Sequence, residues 1–161
     1  MAWRGASKYD VLRRLLAQQP EVPECQRLHF LQMACEKLVK AHLFAMGGHN
    51  PDLLRKTHAV IRKHLKRIVA HTLNRLEPDG RRDRHRTLIQ FSNRLASEIE
   101  WLSPTCDDDG RRPSNTEYPW EENGELRIPM SYHFTLADQR QAPGFRSIAK
   151  LIHEAIQDLV R

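Results

Sequence analysis

Cysteine is scarce in this chain, aromatic residues are few, and no apolar run approaches the length of a membrane span. The three cysteines among 161 residues are Cys25, Cys35 and Cys106. An odd count without metal-ligand spacing argues against a disulfide framework and against a zinc finger, and it reads as reduced thiols in a cytoplasmic protein. Lys8, Asp10, Arg13 and Arg14 interrupt the N-terminal stretch, so no signal-peptide core is expected. Only 7% of residues are aromatic, and none interleaves with the basic clusters. A base-stacking platform for single strands is therefore poorly supported. No internal repeat or low-complexity tract occurs.

What remains is 40% apolar and 29% charged, with 26 Lys and Arg against 20 Asp and Glu. That balance fits one soluble domain over residues 1–161, large enough to bury a core without disulfide or metal. The net charge of +6 permits acidic partners without identifying one.

Helical spacing dominates the first 102 residues. Ser7 and Asp10 resemble a capping box ahead of Val11, Leu12, Leu15 and Leu16, with Pro20 and Pro23 as the stop. A second helix is predicted from Pro23 to Met46, ending at Gly47-Gly48. Leu28, Leu31, Cys35, Leu38, Val39, His42 and Met46 are assigned to one side of it, and Phe30, Met33 and Phe44 to the other. A helix apolar on two sides is central or covered by a partner chain. Asn50-Pro51-Asp52 reads as a cap followed by proline at the first helical position. One stripe then runs through Leu54, His58, Ile61, Leu65, Ile68 and Leu76, predicting a single helix from there to Glu77-Pro78-Asp79-Gly80. Leu88, Phe91, Leu95, Ile99 and Leu102 define a fourth helix.

From Ser103 to Pro143 the period is lost, and Leu126, Ile128 and Tyr132 to Phe134 are the only candidate extended pieces. An aperiodic stretch of this length is often functional. Tyr118-Pro119-Trp120 within it offers rings suited either to a protein partner or to pinning the loop on the bundle. Phe145, Ile148, Ile152, Ile156 and Leu159 mark the last helix. The expected fold is all-α: an up-and-down bundle of four to five helices with a long loop insertion, 103–143, before the final helix.

Charge is segregated along the chain. Residues 51–86 hold eleven Lys or Arg and four acids, whereas residues 97–125 hold nine acids and two Arg. Arg55, Arg62 and Lys66 fall on one side of the third helix's polar face, with Lys56, Lys63 and Arg67 beside them. Two readings stay open: a surface that neutralises phosphates, or a solvated face paired with the acidic loop of this chain or a neighbour.

Isolated candidates carry little chemistry. His58 sits on an apolar stripe and reads as a hydrogen-bonded core histidine. Cys35 reads as packing, Cys106 lacks an activating base, and Glu36 and Glu98 are solitary acids on helices. Gly47-Gly48 lacks the following Lys-Ser/Thr of a phosphate loop. Arg146 and His153 stand out. Seven residues is almost two turns, which places both on one side of the last helix, about 10.5 Å apart along its axis, with Lys150 and Gln157 alongside.

The run Gln32-Met33-Ala34-Cys35-Glu36-Lys37-Leu38-Val39-Lys40-Ala41, then a Gly-rich break and Lys56-Thr57-His58, resembles the HEPN (higher-eukaryote and prokaryote nucleotide-binding) domain. Glu-Lys-x-x-Lys-Ala and the later Thr-His carry that likeness, and the helix order extends it over the chain outside 103–143. The resemblance implies a helical bundle that dimerises. It also implies a metal-independent ribonuclease of toxin–antitoxin or phage-defence type, with an antitoxin or nucleotidyltransferase as a candidate partner. Active members of the family carry Arg, four to six residues, then His near the start of the last helix. Arg146 and His153 fit with six intervening residues, although Ser147 stands where the family has Asn, Asp or His. A second such spacing, Arg127/His133, lies in the aperiodic stretch and reads as coincidence.

On that reading Arg146 and His153 are catalytic. Arg55, Arg62, Lys63, Lys66, Arg67 and Lys150 hold RNA, and no cofactor or metal takes part. The competing expectations are a non-catalytic dimer that binds RNA, a nucleotide or a partner protein, and a structural subunit whose acidic loop docks on a neighbour's basic helix.

Overall fold

A computed structural model describes residues 11, 18–19, 21–47, 50, 52, 54, 57, 59–104, 114–140 and 142–159. The expected N-terminal helix with its Ser7/Asp10 cap, together with Arg55, Lys56, His58 and Cys106, lies outside them. The fold is an all-α bundle, as the helical periods require. Its helices are α1 (Glu24–Ala45), α2 (Ile61–Leu76), α3 (Arg82–Glu100), the short α4 (Thr135–Gln139) and α5 (Pro143–Asp158).

α1 begins after Pro23, whose extended backbone cannot continue a helix backwards, and it stops at Gly47. Gly47 takes φ +74°, which L-residues with a Cβ disfavour. Met46 and Gly47 donate their N–H groups to the carbonyls of His42 and Phe44. Leu28, Leu31, Ala34, Cys35, Leu38 and Ala41 are all buried, so the helix is wrapped on several sides. α2 and α3 form a helical hairpin closed by a turn in which Gly80 N–H donates to Glu77 O at 2.9 Å. α2 packs on α1, α3 and α5. The buried apolar side chains of these four helices make one contiguous core.

The single long helix expected from Pro51 to Leu76 is not formed. Asn50 does cap a turn there: its Oδ1 accepts from Asp52 N–H at 2.9 Å, and its carbonyl accepts from Leu54 N–H at 3.1 Å. Thr57 then leaves the helical conformation, Ala59 and Val60 turn, and α2 restarts at Ile61. The restart is stabilised from elsewhere in the fold. Glu100, only 3% exposed at the end of α3, accepts the Arg62 N–H at 2.9 Å through Oε2. A distant carboxylate thus does what a local Ser or Asp cap does in other helices.

Residues 114–140 of the aperiodic stretch hold more regular structure than its lost periodicity suggests. Thr116 donates its N–H to Leu102 O at 3.1 Å, tying the segment back to the end of α3. Asn115 Oδ1 accepts from the N–H groups of Glu117 and Tyr118 at 2.9 and 2.7 Å. Strands β1 (Trp120–Glu122) and β2 (Glu125–Arg127) pair antiparallel, with Glu122 opposite Glu125. Asn123 and Gly124, both at positive φ, make the two-residue turn. A 3-10 turn (Pro129–Ser131) and α4 follow. Tyr118 and Trp120 divide the two roles offered for them: Tyr118 is 60% exposed, whereas Trp120 is 7% exposed. The Trp120 ring meets Tyr132 edge-on at 4.7 Å and Phe134 at 6.5 Å. Arg140 pairs with Glu24, and His29 Nδ1 lies 3.6 Å from Glu117, so the segment rests on the start of α1.

Candidate functional site on the terminal helix

α5 owes its start to Pro143 at the first helical position and to the extended backbone of Ala142 before it. Phe145, Ile148, Leu151, Ile152, Ala155 and Ile156 face the core. The same 3.6-residue period sends Arg146, Lys150, His153 and Gln157 to the opposite side, within an arc of about 60°. Arg146 and Lys150 are exposed, and His153 and Gln157 are half-buried. The structure therefore keeps the expected pair Arg146/His153 on one side of the helix, with Lys150 and Gln157 alongside as the spacing predicts. Ser147 does not belong to this row. It is turned about 100° away, where it lines a cavity with Lys150 and Glu154.

That cavity, of about 300 Å³, opens between the end of α2, the start of α3 and α5. Leu73, Leu88 and Leu151 supply apolar walls. Glu77 and Arg84 also line it, paired with each other through Oε2 and a guanidinium nitrogen. Lys150 is common to the cavity and to the exposed row. Among the described residues neither Lys150 nor Glu154 joins an ion pair or hydrogen bond.

The basic residues expected to hold RNA are at the surface of α2: Arg62, Lys63, Lys66 and Arg67 are all exposed. Arg62 is partly committed, since its Nε lies 3.7 Å from Glu100 Oε1. Lys66 faces an open groove that it shares with Ile89, Gln90, Asn93 and Arg94 of α3. The α3 members were missed in the sequence, although Gln90, Asn93 and Arg94 recur at helical spacing opposite the apolar stripe. This groove and the α5 row are distinct patches. Lys66 lies seven residues, about 10.5 Å along α2, from Leu73 at the cavity.

A second polar cluster was also missed. Glu36, 2% exposed, accepts from Lys40 Nζ at 2.6 Å and from Gln32 Nε2 at 3.1 Å. Lys40 is 5% exposed, and Lys37 Nζ lies 3.6 Å from the same carboxylate. Glu36 is thus the centre of a buried ionic knot and not a solitary acid. Glu36, Lys37 and Lys40 belong to the run that resembles the HEPN domain, and here Glu36 and Lys40 are buried in the bundle while Lys37 stays half-exposed at its edge. Nearer the end of α1, burial holds the His42 imidazole below its ordinary pKa, helped by the neighbouring charge of His71 on α2. Burial pushes the Cys25 thiol up, which keeps it an unreactive packing group.

Among the described residues, no three His, Cys, Asp or Glu side chains converge as a metal site, and no helix is long and apolar enough to cross a membrane. No family model, curated protein or solved structure matches the chain.

Proposed function

We propose that the protein is a HEPN-like, metal-independent RNA endonuclease acting as a homodimer through paired Arg146 and His153 side chains. The observation that supports this reading is the shared row of exposed Arg146 and Lys150 with half-buried His153 on the side of α5 opposite its core face. Cleaving RNA without metal requires a base to take the 2′-hydroxyl proton and an acid to protonate the departing 5′-oxygen. Imidazole serves either role near neutral pH. One chain offers one histidine on this face, and a two-fold pairing of α5 faces supplies the second. Arg146 of each chain holds the scissile phosphate and offsets charge as the transition state forms. The products are a 2′,3′-cyclic phosphate and a 5′-hydroxyl. The α2/α3 groove with Lys66 and Arg94 holds flanking backbone, which makes affinity fall as salt rises.

A non-catalytic RNA-binding dimer is the second reading. It is favoured by the open groove, whose described lining offers the cations Lys66 and Arg94 and the amides Gln90 and Asn93 for phosphate contact.

The test is cleavage of a mixed-sequence RNA in EDTA by purified protein and by His153→Ala. We expect the variant to lose at least about a hundredfold in rate, the usual scale of general acid–base catalysis, with helicity and oligomeric state unchanged. Equal cleavage by both proteins, or a monomer at working concentration, removes the nuclease. RNA binding without cleavage leaves the second reading.

A further inference from the structure

We infer that the cavity between α2, α3 and α5 is a nucleobase pocket that selects the 6-amino group of adenine or the 4-amino group of cytosine over the carbonyl oxygen that guanine or uracil carries at that position. The inference rests on the nuclease reading only for where the phosphate lies. The walls set by Leu73, Leu88 and Leu151 suit the faces of a flat ring, and about 300 Å³ is at the lower end of ligand-pocket volumes. Polar groups sit at its rim. Glu77 is occupied by Arg84, which leaves Lys150, Ser147 and Glu154 to meet a ligand.

These three groups form one line along α5. Ser147, Lys150 and Glu154 stand at positions i, i+3 and i+7, so they occupy neighbouring turns of one side. Lys150 also belongs to the row with Arg146, one turn away, about 6 Å along the axis. A phosphate held between Arg146 and Lys150 therefore lies at the cavity mouth, and the base attached to it enters over the leucines. The half-buried carboxylate of Glu154 has no partner among the described residues. It accepts hydrogen bonds only, so it rewards a donor and repels a carbonyl. Adenine and cytosine present an amino group where uracil presents a carbonyl oxygen. A site that hydrogen-bonds a substrate amino group discriminates strongly against the analogue lacking it.

The experiment is calorimetric titration of the full chain with AMP, CMP and UMP, each on wild type, Glu154→Gln and Leu76→Trp. AMP and CMP should bind about tenfold more tightly than UMP, a difference of one charge-assisted hydrogen bond. Glu154→Gln should shrink that preference to about threefold or less. Leu76→Trp, which places a ring over the cavity from a partly exposed position, should weaken all three nucleotides about tenfold. Circular dichroism of each variant separates lost binding from lost fold. Equal affinities in wild type and Glu154→Gln, or no binding at millimolar nucleotide, overturns the pocket even where His153-dependent cleavage persists. AMP binding through Glu154 in a protein that cleaves no RNA upholds the pocket and removes the nuclease.

Discussion

Among single residues, Glu36 and Lys40 are the costliest to place. Each charge was taken out of water on folding, and their contact at 2.6 Å recovers that loss only while both are present. Lys40→Met removes one partner and strands the other. We expect it to destabilise the protein by about 3 kcal/mol, at the low end for a broken buried pair because Gln32 and Lys37 still face the carboxylate. Replacing both residues, Glu36→Leu with Lys40→Met, should return stability close to wild type in the same denaturant titration. A single mutant as stable as wild type would show that water reaches this knot. Its residues were visible in the sequence, but their burial was not. An i, i+4 acid–base pair ordinarily marks a solvated helix face. Only the packing of other elements around α1 turns that face inward.

Helix ends decide more here than helix interiors. α2 has no capping side chain of its own, and the carboxylate of Glu100 supplies one across 38 residues of chain. Glu100→Ala should cost about 1–2 kcal/mol, the scale of a lost cap. Amide exchange should accelerate selectively at Ile61 to Leu65, and uniform acceleration over the whole molecule would contradict a capping role. Periodicity carried the helical character of residues 61–76 and 82–100 but not the interruption seen at Thr57, Ala59 and Val60. The apolar stripe of the sequence runs straight through this stretch, and the group that stabilises the restart is remote in sequence. The hairpin was within reach: Asn123-Gly124 is a strong signal for a two-residue turn. The shortness of the flanking strands, three residues each, hides any alternation that would have drawn attention to it.

Taken as a whole, the molecule couples its helices through polar contacts as well as through its core. The Glu100 carboxylate joins α3 to α2 in this way, whereas His42 of α1 and His71 of α2 disfavour each other's charge. Burial and His71 lower the folded-state pKa of His42 from its ordinary 6.5. Below that value the unfolded chain therefore binds the proton more readily than the folded one. Stability is full above pH 6.5 and declines as pH falls through the interval between the unfolded and folded pKa values. We expect the melting temperature to drop between pH 7.5 and 5.5, and His42→Gln to flatten that slope; an unchanged slope would mean that other groups govern it.

The bundle itself was legible because apolar residues at helical spacing must share one interior. The row on α5 was legible for the same reason, since the helical repeat that buries Ile148 and Ile152 turns Arg146 and the half-buried His153 to the other side. The cavity beside that row was not, because Leu73, Leu88 and Glu154 come from three helices whose juxtaposition no local pattern records.

The contact between Thr116 and Leu102 brings two points with thirteen residues of chain between them to one spot beside the end of α3. What departs there also returns there, so the excursion's length is nearly independent of the architecture beneath it. Doubling such a loop adds only about 0.6 kcal/mol of closure entropy. Evolution, or a protein engineer, can therefore graft new sequence between those two anchor points while the helices keep their places.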